Sequence, residues 1–269
     1  MRVRQRIITG VIGGALVLGF VYLGGFFFNL LVFVIALGAF YEYVVMNRDK
    51  PYAPHVILGY ILTFILIFFN LWEMKFVFHL DVLWFITFLL LFLAVLTKNR
   101  VSLRRLSYIV IGAVYIGLGF HYMVLVRGME GGLMLTYWVI GVIWGTDSGA
   151  YFGGRWFGRH KLWPSISPKK TWEGAIAGTL VAVLLAYVLA TFFHLPYRAG
   201  SLLLTTLLVS IGGQIGDLIE SAIKRSLGAK DSGDILPGHG GFFDRFDSMI
   251  VAFPVFVWAM RYLEPFLLY

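Results

Sequence analysis

The chain has 269 residues, 59% of them hydrophobic and only 13% charged, with a mean hydropathy of +0.84 and a net charge of +8. Soluble domains carry roughly a quarter charged residues, so this composition excludes a soluble globular protein and a disordered chain. Basic residues on so apolar a chain are explained first by membrane topology, which argues against nucleic acid as a partner. The absence of cysteine excludes disulfides, zinc–thiolate sites and cysteine nucleophiles.

A helix needs about 20 mostly apolar residues to cross a bilayer. Nine segments qualify, at 6–24, 26–46, 55–72, 76–97, 107–126, 132–153, 173–194, 200–223 and 246–263. Period-2 alternation is absent, so the chain reads as an all-α polytopic membrane protein of about nine transmembrane helices rather than a barrel. Arg2, Arg4 and Arg6 before the first apolar run resemble the start of a signal peptide. No Ala-x-Ala-like cleavage site follows, so this run is expected to stay as the first span. With the N-terminus in the cytoplasm, 18 of the 22 Lys/Arg fall on the cytoplasmic side, and only Lys75, Arg127, Arg198 and Arg261 fall on the other. This asymmetry supports nine spans, with the C-terminus on the side opposite the N-terminus.

The polar residues are unevenly spread. Eight of the 14 acids lie between Asp147 and Asp247. Residues 1–105 are expected to form a transmembrane scaffold of about four helices. Residues 106–269 are expected to form a catalytic region of about five, with cytoplasmic loops at 154–172 and 224–245. A charged residue at the centre of a membrane helix costs about 2.5–3.5 kcal/mol. Glu42 and Asp81 stand without charged neighbours in sequence and read as structural or interfacial. Asp147 and Asp217 differ, because small residues recur beside them. Gly145, Gly149 and Gly153 share one helix face, as do Gly174 and Gly178, and Gly212 and Gly216. Such spacing lets helix backbones approach closely. The sixth, seventh and eighth spans should therefore pack together and turn Asp147 and Asp217 toward one cavity.

In the eighth span Gln214, Asp217, Ser221 and Lys224 form one stripe, running from a buried carboxylate to a cytoplasmic cation. The segment that follows interleaves Lys224, Arg225, Lys230 and Arg245 with Asp231, Asp234, Asp244 and Asp247. A loop that only sets topology needs cations, not acids. Carboxylates among cations suit a divalent metal with phosphate, and hard oxygen ligands suit Mg²⁺. The turn Pro237-Gly238-His239-Gly240-Gly241 can bring amides close to an anion. Upstream, Ser167-Pro168 reads as a helix cap followed by proline, which places Lys169 and Lys170 in the first turn of the seventh span as a phosphate site. These residues alone leave open another Mg²⁺-dependent membrane lipid-phosphate transferase or kinase, or a cation-coupled transporter.

The run Ser221-x-Ile223-Lys224-Arg225, Lys230-Asp231 and Pro237-x-His239-Gly240-Gly241-Phe242-x-Asp244-Arg245-Phe246-Asp247 resembles the signature of the phosphatidate cytidylyltransferase family, the CDP-diacylglycerol synthases. Asp147 to Tyr151 and Ser167 to Gly174 are similar to the same family. The resemblance implies conversion of CTP and phosphatidic acid to CDP-diacylglycerol and pyrophosphate. It also implies Mg²⁺ with K⁺ as a second cation, a homodimer, and a cytoplasmic active site in the inner membrane. Under it, Asp217 and Asp244 are the first expected metal ligands and Asp147 the third, with Asp247 in support. Lys224, Arg225, Lys230, Arg245, Lys169 and Lys170 would neutralise phosphates. Ser221 and His239 would lie beside the substrate, His239 donating to a phosphate or orienting its turn.

Overall fold

The computed structural model describes residues 2–68, 76–195, 198–235 and 240–267, and the side chains among them apart from 2–8, 76–82 and 263–267. Among these residues the chain forms α1 (Arg2–Leu23), α2 (Gly25–Met46), α3 (Pro54–Phe68), α4 (Phe76–Leu96), α5 (Leu103–Gly128) and α6 (Gly132–Phe157). A short hairpin follows, of β1 (Lys161–Trp163) and β2 (Ser167–Thr171). The chain ends with α7 (Trp172–Phe192), α8 (Ala199–Ser226) and α9 (Phe243–Leu267). Each apolar run expected to span has its helix. By length and composition α2, α5, α7 and α8 are long and apolar enough to cross a membrane, and shorter apolar helices cover Thr9–Leu23, Pro54–Phe68 and Leu83–Leu96. The fold is that of a helical membrane protein. Broad apolar faces such as Leu180, Leu184, Tyr187 and Phe192 on α7 remain exposed, as contact with lipid requires.

The hairpin corrects the expected cap of α7. β1 and β2 pair antiparallel, with Lys161 opposite Thr171 and Trp163 opposite Ser167. Ser167 is extended because the residue before a proline is pushed out of the helical region. Lys169 and Lys170 therefore lie on a strand, not in a helical turn. The cap of α7 is Thr171, whose Oγ1 accepts from Gly174 N at 3.1 Å. Glu173 closes the hairpin by accepting from the amides of Arg159 (3.1 Å) and His160 (3.2 Å) and contacting His160 Nδ1 at 2.6 Å.

The small residues work as expected between α6 and α7. A Cβ on Gly149 would sit 2.9 Å from the Gly178 Cα, and one on Gly174 would sit 2.8 Å from the Ala150 carbonyl. Trp138 Nε1 adds a bond to the Ala186 carbonyl at 3.1 Å. The glycines of α8 face a different helix. A Cβ on Gly212 would lie 3.1 Å from Val255, and one on Gly216 would lie 3.2 Å from the Ser248 Cα, both on α9. The link from α6 to α8 is instead polar, from Thr146 Oγ1 to Ser210 Oγ at 2.9 Å. Two tightly packed pairs, α6 with α7 and α8 with α9, thus flank a polar space.

Candidate active site

The ends of α6, α7, α8 and α9 and the strand β2 enclose a cavity of about 1000 Å³. Its walls carry Asp147, Lys169, Lys170, Gln214, Asp217, Glu220, Lys224, Asp231, Asp234, Asp244, Arg245 and Asp247, with Arg155 at one side and Ile143, Trp144 and Met249 adding apolar surface. The expected meeting of Asp147 and Asp217 at one cavity is observed. Volume and mixed lining suit a charged, drug-sized ligand with an apolar part.

The stripe on α8 positions the chemistry. Asp217, Glu220 and Lys224 follow at intervals of three and four and face α9, which contributes Asp244 and Asp247 from its first turns. Carboxylate oxygens of Asp217, Glu220 and Asp247 lie within 4.8 Å of one another. Unit charges at about 4 Å repel by roughly 4 kcal/mol at a protein-surface dielectric, so this cluster calls for cations. Lysines supply part of the balance. Lys170 Nζ stands 2.7 Å from Asp217 Oδ2, and Lys224 Nζ stands 2.6 Å from Glu220 Oε2. Glu220 is 1% exposed, and its Oε1 is buried with no hydrogen-bond partner among the described residues. A carboxyl oxygen left bare at such depth is costly unless something binds it. This bare oxygen, in an all-carboxylate donor set, fits a hard divalent cation.

Asp244 is placed differently from Asp217. Its Oδ1 accepts from Lys224 Nζ at 2.6 Å. Its Oδ2 accepts from Ser232 N (3.0 Å) and Gly241 N (2.9 Å), with Ser232 Oγ 2.9 Å away. Both oxygens are engaged in holding the loop onto α8. Asp147 lines the cavity but lies outside the three-carboxylate cluster. Ser221 is buried, with Oγ 3.4 Å from Asp217 Oδ1. Arg225 turns away from the cavity: Nη1 donates to the Ala229 carbonyl at 2.9 Å and Nε to the Ile166 carbonyl at 3.3 Å, which ties the hairpin to α8. Lys230 is exposed and is not among the cavity-lining residues. His239 lies outside the described residues.

Glu220 is the residue that the stripe reading passed over. It sits three residues after Asp217 and four before Lys224, so helical spacing alone places it on that face.

The cytidylyltransferase family matches residues 4–263. The chain belongs to this family. Phosphatidate cytidylyltransferase of Bacillus subtilis (strain 168) is 39% identical over 255 residues, which is 93% of this chain and 95% of that protein. The phosphatidate cytidylyltransferase of Staphylococcus epidermidis (strain ATCC 35984) is 39% identical over 253 residues, 94% of this chain and 96% of its own length. The Staphylococcus aureus (strain COL) protein of the same name is 36% identical over the same shares. The match runs through all the helices around the cavity, so membership covers the N-terminal helices as well as the signature. A cytidylyltransferase must hold a nucleoside triphosphate.

Proposed function

We propose that the chain transfers the cytidylyl group of CTP to phosphatidate, giving CDP-diacylglycerol and pyrophosphate. A phosphate oxygen of the lipid forms a bond to the α-phosphorus of CTP, and the bond from that phosphorus to the pyrophosphate oxygen breaks. The observation that carries this reading is the Asp217–Glu220–Asp247 cluster, set in a cavity that also presents Lys169, Lys170, Arg155 and Arg245. The apolar wall of Ile143, Trp144 and Met249 supports a lipid as the second substrate.

The cluster fits Mg²⁺, and Asp217, Glu220 and Asp247 are the residues that would hold it, in place of the pair Asp217 and Asp244. Bound there, Mg²⁺ would offset triphosphate charge and ease departure of pyrophosphate. The rest is done by side chains. Lys169, Lys170, Arg155 and Arg245 face the cavity and reduce repulsion between two anionic reactants. Lys224, clamped by Glu220 and Asp244 at 2.6 Å each, orients those acids. The lipid phosphate is already anionic, so neither a general base nor an enzyme nucleophile is required. Direct in-line attack should invert configuration at the α-phosphorus.

The nine-span topology belongs to the same proposal, with the cavity at the cytoplasmic face of the inner membrane. The side assigned 18 of the 22 cations is the side on which the cavity's Arg155, Lys169, Lys170 and Arg245 fall. Because the chain has no cysteine, single cysteines at Ser102 and Lys230 should label from the cytoplasm and one at Arg198 from outside. Labelling of Lys230 and Arg198 from one side would overturn that topology. The activity is tested with purified protein by pyrophosphate release, omitting CTP, phosphatidate or Mg²⁺ in turn. Each omission should abolish release. Formation of a nucleoside diphosphate instead would make the protein a lipid kinase.

A further inference from the structure

Glu42 lies on α2, remote in sequence from the cavity, and is 2% exposed. A carboxylate this deep in an apolar helix requires partners. Its hydrogen-bond partners come from the other end of the chain. Oε1 accepts from Phe242 N at 2.9 Å, and Oε2 accepts from Phe243 N at 2.9 Å and from Ser232 Oγ at 2.9 Å. Phe243 opens α9. The first amides of a helix have no partner within it, and negative charge is favoured at that end. Glu42 thus caps α9 from a different helix.

The surroundings are shaped to admit this contact. A Cβ on Gly241 would overlap both Glu42 Oε2 and Ser232 Oγ, and one on Gly233 would lie 3.1 Å from Glu42 Cγ. Ser232 links the two carboxylates, its hydroxyl donating to Glu42 Oε2 and its amide donating to Asp244 Oδ2 at 3.0 Å, with Oγ 2.9 Å from that oxygen as well. Asp244 holds Lys224, and Lys224 holds Glu220, each at 2.6 Å. From Phe243, one helical turn along α9 leads to Asp247.

We propose that Glu42 is a positioning residue for the transfer. It fixes the start of α9, so that Asp247 meets Asp217 and Glu220, and it steadies Lys224 and Glu220 through Ser232 and Asp244. This inference rests on the reading of those three carboxylates as a metal site. A purely architectural Glu42 would hold helices together without setting the cluster.

The test uses purified Glu42→Gln, which keeps side-chain size and one acceptor but turns an amide NH₂ toward donors. Without metal, the peptide carrying Phe242 and Phe243 should exchange its amide hydrogens about tenfold faster than in wild type, for lost bonds to a charged acceptor. Peptides from α3 and α5 should not change. The Mg²⁺ concentration for half-maximal pyrophosphate release should rise about tenfold, with turnover largely restored at high Mg²⁺. Ser232→Ala, which spares the bonds from Glu42 to α9, should shift the same constant less. If Glu42→Gln yields no folded protein, Glu42→Asp, which keeps the charge but draws it back from the amides of α9, decides: a raised constant supports the proposal and an unchanged one overturns it. Folded Glu42→Gln with wild-type exchange and wild-type Mg²⁺ dependence would overturn it outright. A wild-type enzyme indifferent to Mg²⁺ would instead overturn the metal reading, and the exchange measurement would still decide whether Glu42 fixes α9.

Discussion

Between α2 and α5 the contact is made by an aromatic ring set against a glycine, since a Cβ on Gly112 would overlap the Tyr43 ring. Tyr43 and Tyr108 stack at 4.1 Å, and each phenol donates to the other's backbone carbonyl, at 3.1 and 2.8 Å. Between α6 and α7 it is made by the absence of side chains, with Gly149 against Gly178 and Gly174 against Ala150. Both solutions satisfy helices in an apolar medium, but they leave different things behind. Aromatic stacking fills the space between helices and buries the polar atoms it brings. Backbone contact fixes two helices at close range and leaves the polar residues beside the glycines free to line a cavity. Asp147, two residues before Gly149 on α6, and Lys170, on β2 just before α7, both line it. Charge occurs in both regions: Asp49 pairs with Arg105 at 2.8 Å beside His55, and Glu42 turns toward the loop before α9, while α8 and α9 share a network of acids and lysines around the cavity.

The strongest way to break this contrast is Lys224→Ala. It leaves buried Glu220 and Asp244 without their shared cation, which should cost about 3–5 kcal/mol in detergent unfolding. Lys50→Ala removes an exposed cation near the N-terminal helices and should change stability by no more than about 0.5 kcal/mol. Equal effects would mean that the network is incidental. Next comes Asp217→Asn, which should fold normally and lose at least about a hundredfold in pyrophosphate release. Near-wild-type turnover across a Mg²⁺ titration would remove Asp217 from the metal set. Gly149→Ala should lower stability by about 1–3 kcal/mol through overpacking. Gly13→Ala, with nothing within 4 Å of the added carbon, should be neutral or slightly stabilising by helix propensity. Among the disruptive changes the smallest effect is expected from Tyr43→Phe, which loses one hydrogen bond worth about 1 kcal/mol and should leave turnover per folded molecule unchanged. A loss of activity there would show that the aromatic contact reaches the site.

Much of this was legible in the order of residues, because hydropathy and helical spacing are local properties. The runs became helices, and Gln214, Asp217 and Lys224 of the stripe became one wall of the cavity. Helix ends were less legible, since α6 and α8 continue past the expected span ends at 153 and 223 to Phe157 and Ser226. The cap of α7 was misplaced because Ser167-Pro168 satisfies the pattern of a helix start and equally that of an extended strand. Pairing with Lys161–Trp163 decided for the strand. Asp244 could not be told from Asp217 by sequence, because its engagement depends on amides of Ser232 and Gly241 brought together by the loop. Glu42 was beyond reach for a similar reason. Its partners are some 190–200 residues away, and nothing around it in sequence signals them.

That α8 and α9 build one divalent-metal site from Asp217, Glu220 and Asp247 is tested most directly by titrating Mn²⁺, as a spectroscopic stand-in for Mg²⁺, into metal-free protein and reading bound ion by electron paramagnetic resonance. The wild type should show a saturable site that Mg²⁺ displaces. Glu220→Gln and Asp247→Asn should each lose it while remaining folded, and Asp147→Asn should keep it. Undiminished Mn²⁺ binding in both Glu220→Gln and Asp247→Asn would contradict the assignment.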